Sequence, residues 1–107
     1  MSQSRAPNHL SVDAKHWWRE LQKEYGINDA AGLLLLQTAC EAHDRMKMAQ
    51  AEIVRDGQTL KDRFEQPKPH PMLTVERDAR AAMLAALKQL NLDLEPLRDG
   101  PGRPGGR

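Results

Sequence analysis

Between a pair of cap candidates, Asn28 or Asp29, and the next plausible stop, Gly57, the chain reads "AAGLLLLQTACEAHDRMKMAQAEIVRD". No proline interrupts it, so it predicts one long helix. At about 1.5 Å per residue that helix is on the order of 40 Å long. A chain of 107 residues buries one modest core at most, and such a core does not cover a helix of that length. The run from Leu33 to Leu36 is apolar around the whole circumference, which implies burial on several sides. Further along, Leu35, Ala39, Ala42, Met46, Ala49 and Ile53 step by four and three alternately. That is a heptad seam whose small residues let another helix approach closely. The long helix is therefore expected to be the spine of the domain, with a helix-packing seam that partner chains share.

Two shorter helices flank this spine. Ser11 reads as an N-cap with Asp13 in the first turn, where a carboxylate suits the helix dipole. The stretch "VDAKHWWRELQKEY" then places Ala14, Trp17, Trp18, Leu21 and Tyr25 on one face, and Gly26 closes the first helix over about 12–25. Adjacent tryptophans point about 100° apart on a helix, so one of Trp17 and Trp18 is expected in the core and the other at its edge. Beyond Gly57, prolines at 67, 69 and 71 bar a regular helix from Gln66 to His70. Pro71 itself fits the first turn of a helix, where its missing N–H costs nothing. The third helix is expected over about 71–90, with Val75, Ala79, Ala82, Ala86 and Leu90 in its seam and Met72, Met83 and Leu87 beside it. Asn91 reads as its left-handed cap and Leu92 as the apolar residue packing back. Whether the connector folds this helix along its own chain or against a neighbour is left open by the sequence.

The expected fold is all-α and oligomeric: a helical hairpin with a long central helix, a proline-rich connector and a third helix. Residues 1–10 read as a flexible arm, 11–97 as the helical domain, and 98–107 ("RDGPGRPGGR") as a Gly/Pro/Arg tail disordered in isolation. Aromatic residues are only 4% of the chain, so Leu, Met and Ala must build most of the core. Alanine contacts bury little area, at roughly 25 cal/mol per Å², and self-association is a natural source of further burial.

The sequence offers no catalytic constellation. Cys40 is the only cysteine, which excludes an intrachain disulfide and fits a reducing compartment. Cys40 and His43 are too few for a structural zinc, and read as a buried thiol beside a partly buried imidazole. His9, His16 and His70 stand in no triad spacing, and no glycine-rich phosphate loop is present. Neither a signal peptide nor a membrane span is expected. No enzyme activity, cofactor or metal is therefore expected. The formal charge of +1 gives no strong overall attraction for phosphate, so DNA contact must come from local clusters. Lys61, Arg63 and Lys68 form a loose basic cluster in the connector, diluted by Asp62 and Glu65. Arg98, Arg103 and Arg107 lie in the tail, where "GRP" has the character of a minor-groove arm.

The order of features resembles the small terminase subunits of tailed phages and prophages, in the family named after protein twenty-seven. The resemblance is carried by "KHWWREL", "INDAAGLLLLQTACEAHDRM", "RDGQTL", "KPHP" and "ERDARAAMLAALKQLNLDLEPLR", and covers about residues 10–98. Gly57, His70, Pro71 and Arg98 match the family pattern, with roles that are structural more than chemical. The chain departs from it where the family commonly has a Gly-Leu-Thr-Pro-type turn and this sequence has "NLDLEP". The resemblance implies a non-catalytic DNA-packaging protein of the bacterial host cytoplasm. Such a protein recognises double-stranded viral DNA at the packaging site. It hands that DNA to the large ATPase/nuclease subunit, which it regulates, and it assembles with itself into a ring. With the placement of the cations, it makes Lys61, Arg63, Lys68, Arg98, Arg103 and Arg107 the candidate phosphate contacts. The alternative is a helical protein–protein adaptor that never touches DNA, for which the near-neutral charge speaks.

Overall fold

The computed structural model describes residues 4–92. Three helices and one small antiparallel sheet follow in the order α1 (Val12–Tyr25), α2 (Ala30–Asp56), β1 (Thr59–Lys61), β2 (Pro67–Pro69) and α3 (Met72–Leu90). The tail 98–107, with Arg98, Arg103 and Arg107, lies outside the described residues.

Local capping chemistry sets the helix ends. Ser11 Oγ accepts the Ala14 N–H at 3.0 Å, and α1 stops at Gly26, whose φ of 63° is left-handed. Asp29 is the cap of α2, and its carboxylate accepts the Gly32 N–H at 3.0 Å. Gly32 is required by close approach: a Cβ there would stand 2.8 Å from Asp29 Oδ1 and 2.9 Å from Ile27 Cγ2. The glycine within the long run therefore does not weaken α2 for nothing. It lets the turn from α1 close against the first turn of α2.

The main core lies where α1 crosses the N-terminal part of α2. Leu10, Ala14, Trp18, Ile27, Leu36 and Cys40 are buried there, with Leu21, Tyr25, Leu33, Leu90 and Leu92 packed against them. Trp18 is 3% exposed and Trp17 44%, the division expected of neighbours about 100° apart. Leu34 corrects the expectation of burial around the whole helix. It is exposed, while Leu36 is fully buried and Leu33 and Leu35 half-buried, because α1 and α3 cover only part of the circumference. Residues 4–10, assigned to an arm on composition, are anchored at two points. Leu10 is in the core, and the Trp18 indole N–H donates to the Ser4 carbonyl at 3.2 Å.

Pro71 launches α3 back along its own chain. The most extensive helix contact is between α2 and α3, and Gln50 of α2 donates to Glu76 of α3 at 2.9 Å. Ala39, Ala42, Met46, Ala49 and Ile53 are buried, and Leu35 is half-buried. Across from them α3 buries Ala79 and Ala86 and half-buries Val75, Met83 and Leu90. Ala82 is exposed, and Met83 takes the seam position expected for it. At about 100° per residue Met83 falls on the side of Ala79 and Ala86 where Leu87 and Leu90 also lie, and Ala82 falls on the other, so the buried row steps 75, 79, 83, 86, 90.

The connector is a β-hairpin, which corrects the all-α expectation. Thr59 pairs with Pro69, Leu60 with Lys68, and Lys61 with Pro67. The hydrogen-bonded positions alternate with these prolines: His70 N–H donates to Gln58 O at 2.8 Å and Asp62 N–H to Gln66 O at 2.9 Å. Pro67 and Pro69 therefore occupy positions whose nitrogens face away from the partner strand, and a missing N–H costs the ladder nothing there. Their spacing of two is the period of a strand. On the outer edge the same prolines remove the donors that would invite another strand.

Candidate nucleic-acid interface

The hairpin tip is built by one carboxylate. Asp62 Oδ1 accepts the backbone N–H groups of Phe64 at 2.8 Å and Gln66 at 2.9 Å. The Glu65 N–H closes a turn onto Asp62 O at 3.0 Å. Glu65 then takes a left-handed φ of 64°, as the last residue of a three-residue hairpin loop does. Of residues 58–69, all but Leu60 and Asp62 are exposed, so the hairpin stands off the helices.

This hairpin gathers the three connector cations. Lys61 ends β1, Arg63 is in the loop, and Lys68 is the middle residue of β2. Pairing puts them on different faces: Lys61 shares a face with Thr59, Pro67 and Pro69, while Lys68 lies with Leu60 on the other. The diluting carboxylates are engaged within the hairpin. Asp62 is spent on the tip amides, and Glu65 stands 3.6 Å from Lys61 Nζ. Among the described residues, neither Arg63 nor Lys68 has a carboxylate in ion-pair range. Arg63 lies 5.0 Å over the Phe64 ring, and that ring is 67% exposed. Phe64 was not singled out from the sequence. A lone aromatic between charged residues carries no periodic signal, and only the turn shows that it crowns a protrusion.

The hairpin is seated on the helices by His70, which is 4% exposed. Its Nδ1 accepts the Met72 N–H at 3.0 Å, and its Nε2 lies 3.0 Å from Asp56 Oδ2. Accepting at Nδ1 places the proton on Nε2, facing the carboxylate. One side chain thus satisfies the first turn of α3, where Pro71 brings no side-chain cap, and ties it to the last residue of α2. Hydrogen bonds from Arg55 first, then from His70, hold the Asp56 carboxyl well below the usual carboxylate range. Gly57, with φ 88° and ψ 158°, occupies a conformation essentially reserved for glycine. The three matched positions within the described residues, Gly57, His70 and Pro71, therefore all serve the passage from α2 through the hairpin to α3.

Other polar groups fasten α1 to α2. The Ser11 N–H donates to Asp44 Oδ2 at 2.8 Å, and its hydroxyl donates to Asp44 Oδ1 at 2.5 Å. His9 meets Glu41 at 2.7 Å, and His43 lies 3.4 Å from Asp13. Glu41 is held below the usual carboxylate range by hydrogen bonds from Gln37 and then His9. Among the described residues, no three His, Cys, Asp or Glu side chains converge as a metal set. Burial, with Asp44 and Glu41 nearby, pushes the Cys40 thiol up to about 11, so it stays protonated and unreactive at neutral pH.

One apolar groove of about 630 Å³ opens between the helices, lined by residues that include Trp17, Leu21, Cys40, Met83, Leu84 and Leu87. Trp17 and Leu84 are exposed on it.

A family model described as "Phage terminase, small subunit" matches residues 14–95. No curated protein and no solved structure matches the chain.

Proposed function

The chain belongs to the phage terminase small-subunit family, and from that premise we propose that it recognises viral DNA at the packaging site, delivers it to the large ATPase/nuclease subunit and regulates that subunit. The family match across most of the chain carries this reading and supports a role in DNA packaging. Chemically, the hairpin supports it: Arg63 and Lys68, which have no ion-pair partner among the described residues, project with Lys61 on a stiff element away from the helices. The chain itself acts without catalysis, in the cytoplasm of the bacterial host. No helix among the described residues is long and apolar enough to cross a membrane.

In this reading the subunit works as a homo-oligomeric ring. One subunit of net charge +1 binds phosphate weakly, and symmetry multiplies weak contacts into useful avidity. With the α2 seam occupied by α3, the groove flanked by Trp17 and Leu84 is an apolar surface that a neighbouring copy could cover. The tail arginines Arg98, Arg103 and Arg107 remain candidate phosphate contacts beside the hairpin cations.

A gel-shift titration over several salt concentrations, with native mass spectrometry on the same sample, tests the proposal. A discrete large oligomer whose DNA affinity falls steeply with salt is the expected result. A monomer that binds no DNA at any salt would sink it. That outcome leaves the adaptor reading, which the apolar groove favours.

A further inference from the structure

The placement of Lys61 and Lys68 on opposite faces of the hairpin looks at first like a failure to form a basic patch. A flat patch, though, suits only one side of a duplex. A ribbon with a cation on each face suits a groove, whose two walls are the phosphates of two strands. The DNA major groove is about 12 Å wide and about 8.5 Å deep and admits a two-stranded β-ribbon. The tip lies six residues from the Gln58–His70 root, up to ~20 Å at about 3.3 Å per residue. It can therefore reach the groove floor while the helices stay outside.

We propose that this hairpin reads DNA sequence tip-first in the major groove. Lys61 and Lys68 contact the phosphates of the two walls. Arg63 donates to a guanine edge, and the Phe64 ring packs on a thymine methyl group. These are the base partners whose chemistry fits a planar guanidinium and an apolar ring. The inference rests on the DNA-binding reading given above and assigns it a recognition element.

Three features favour DNA over a protein partner. Both hairpin carboxylates face inward or pair with a hairpin lysine, so the outward charge is positive. Pro67 and Pro69 leave the outer edge without donors at those positions, so a peptide adding itself as a strand finds an incomplete ladder. The tip is also held in place beforehand by the two Asp62 hydrogen bonds and the prolines. Little ordering entropy is then lost when Arg63 and Phe64 engage.

The test uses the full chain and selection from a duplex pool randomised over about 20 base pairs. Titrations follow on the selected duplex, on its copy with deoxyuridine for thymidine, and on unselected random duplex. Wild type should enrich a motif and lose affinity when the thymine methyls are removed. Arg63→Ala and Phe64→Ala should each weaken binding to the selected duplex roughly tenfold or more, with a several-fold smaller loss on random duplex, where Arg63→Ala forfeits only the general attraction of one cation for phosphate. Phe64→Ala should also become indifferent to the methyls. Both side chains are exposed, so circular dichroism and melting of the variants should match wild type. Salt-dependent binding with no enriched motif, or a motif and affinities unchanged in both variants, would overturn the inference while leaving DNA binding intact. So would variants that keep the motif but lose binding to the large subunit. Wild type that binds no DNA at all would instead overturn the reading beneath it.

Discussion

The two ends of α2 are held by different physics. At the N-terminal end large side chains converge, with Trp18, Leu10, Ile27 and Leu36 buried together and the end of α3 returning Leu90 and Leu92 to the same cluster. At the C-terminal end the buried apolar set is thinner, with Ala49 and Ile53 on α2 and Ala79 on α3. Closure there depends on a polar clasp, His70 between Asp56 and the first turn of α3. Large apolar side chains carry the main core at one end, and at the other a thinner seam is completed by a buried hydrogen-bonded imidazole. The teaching is in the consequence for motion: apolar packing tolerates changes of charge and pH, whereas the clasp does not. The element that departs from the clasped end is the hairpin proposed to read DNA.

The largest expected effect tests the apolar end. Trp18→Ala should cost about 3–5 kcal/mol in denaturant unfolding, since the ring is 3% exposed and its indole N–H holds the Ser4 carbonyl. That loss should be nearly the same at pH 7 and pH 4, because no charge is involved. His70→Ala should cost about 1–3 kcal/mol, the penalty for stranding partners of a buried hydrogen-bonding group. Hydrogen exchange should locate the damage at the start of α3 and the hairpin, with the α1 amides unchanged. A loss of protection spread evenly over α1 would erase the distinction between the ends.

The smallest effect concerns Asp56. Its folded-state carboxyl sits below the usual range, through Arg55 and then His70. A depressed carboxyl contributes stability that is fully present above its unfolded value of about 4 and is lost as pH falls through its folded value. Asp56→Asn should therefore be less stable than wild type at neutral pH, with the gap closing in acid below about pH 4. A gap that persists undiminished well below about pH 4 would remove Asp56 from the clasp.

The helices were largely legible because each carries its own punctuation. Ser11, Gly26, Gly57 and Asn91 mark ends that depend on one side chain or one left-handed residue. The Ala/Met/Ile seam of α2 was legible as a seam, since periodicity is a local property. Its occupant was not, because sequence spacing says which face is apolar and not which helix reaches it. The hairpin was missed for a related reason. Three-residue strands carry no periodic apolar signal, and prolines argue against strands unless the partner's register is known. In the candidate site the cations Lys61, Arg63 and Lys68 could be named from composition. Phe64 at the tip and the carboxylates turned to internal bonds could not, and His70, marked by the resemblance as structural, showed its partners Asp56 and Met72 only in the fold.

The sequence by itself determined three helices, their caps, the long spine and a stiff break between the second and third helices, because these follow from backbone chemistry acting over a few residues. The resemblance to a packaging-protein family was likewise carried by the order of short motifs. Only the tertiary structure decided that α3 returns along its own chain and that alternating prolines make a hairpin edge. It also decided that cations scattered over eight positions, 61–68, stand together on one ribbon. Those outcomes depend on pairing register and on which faces meet, and both are fixed by contacts between residues far apart in the chain.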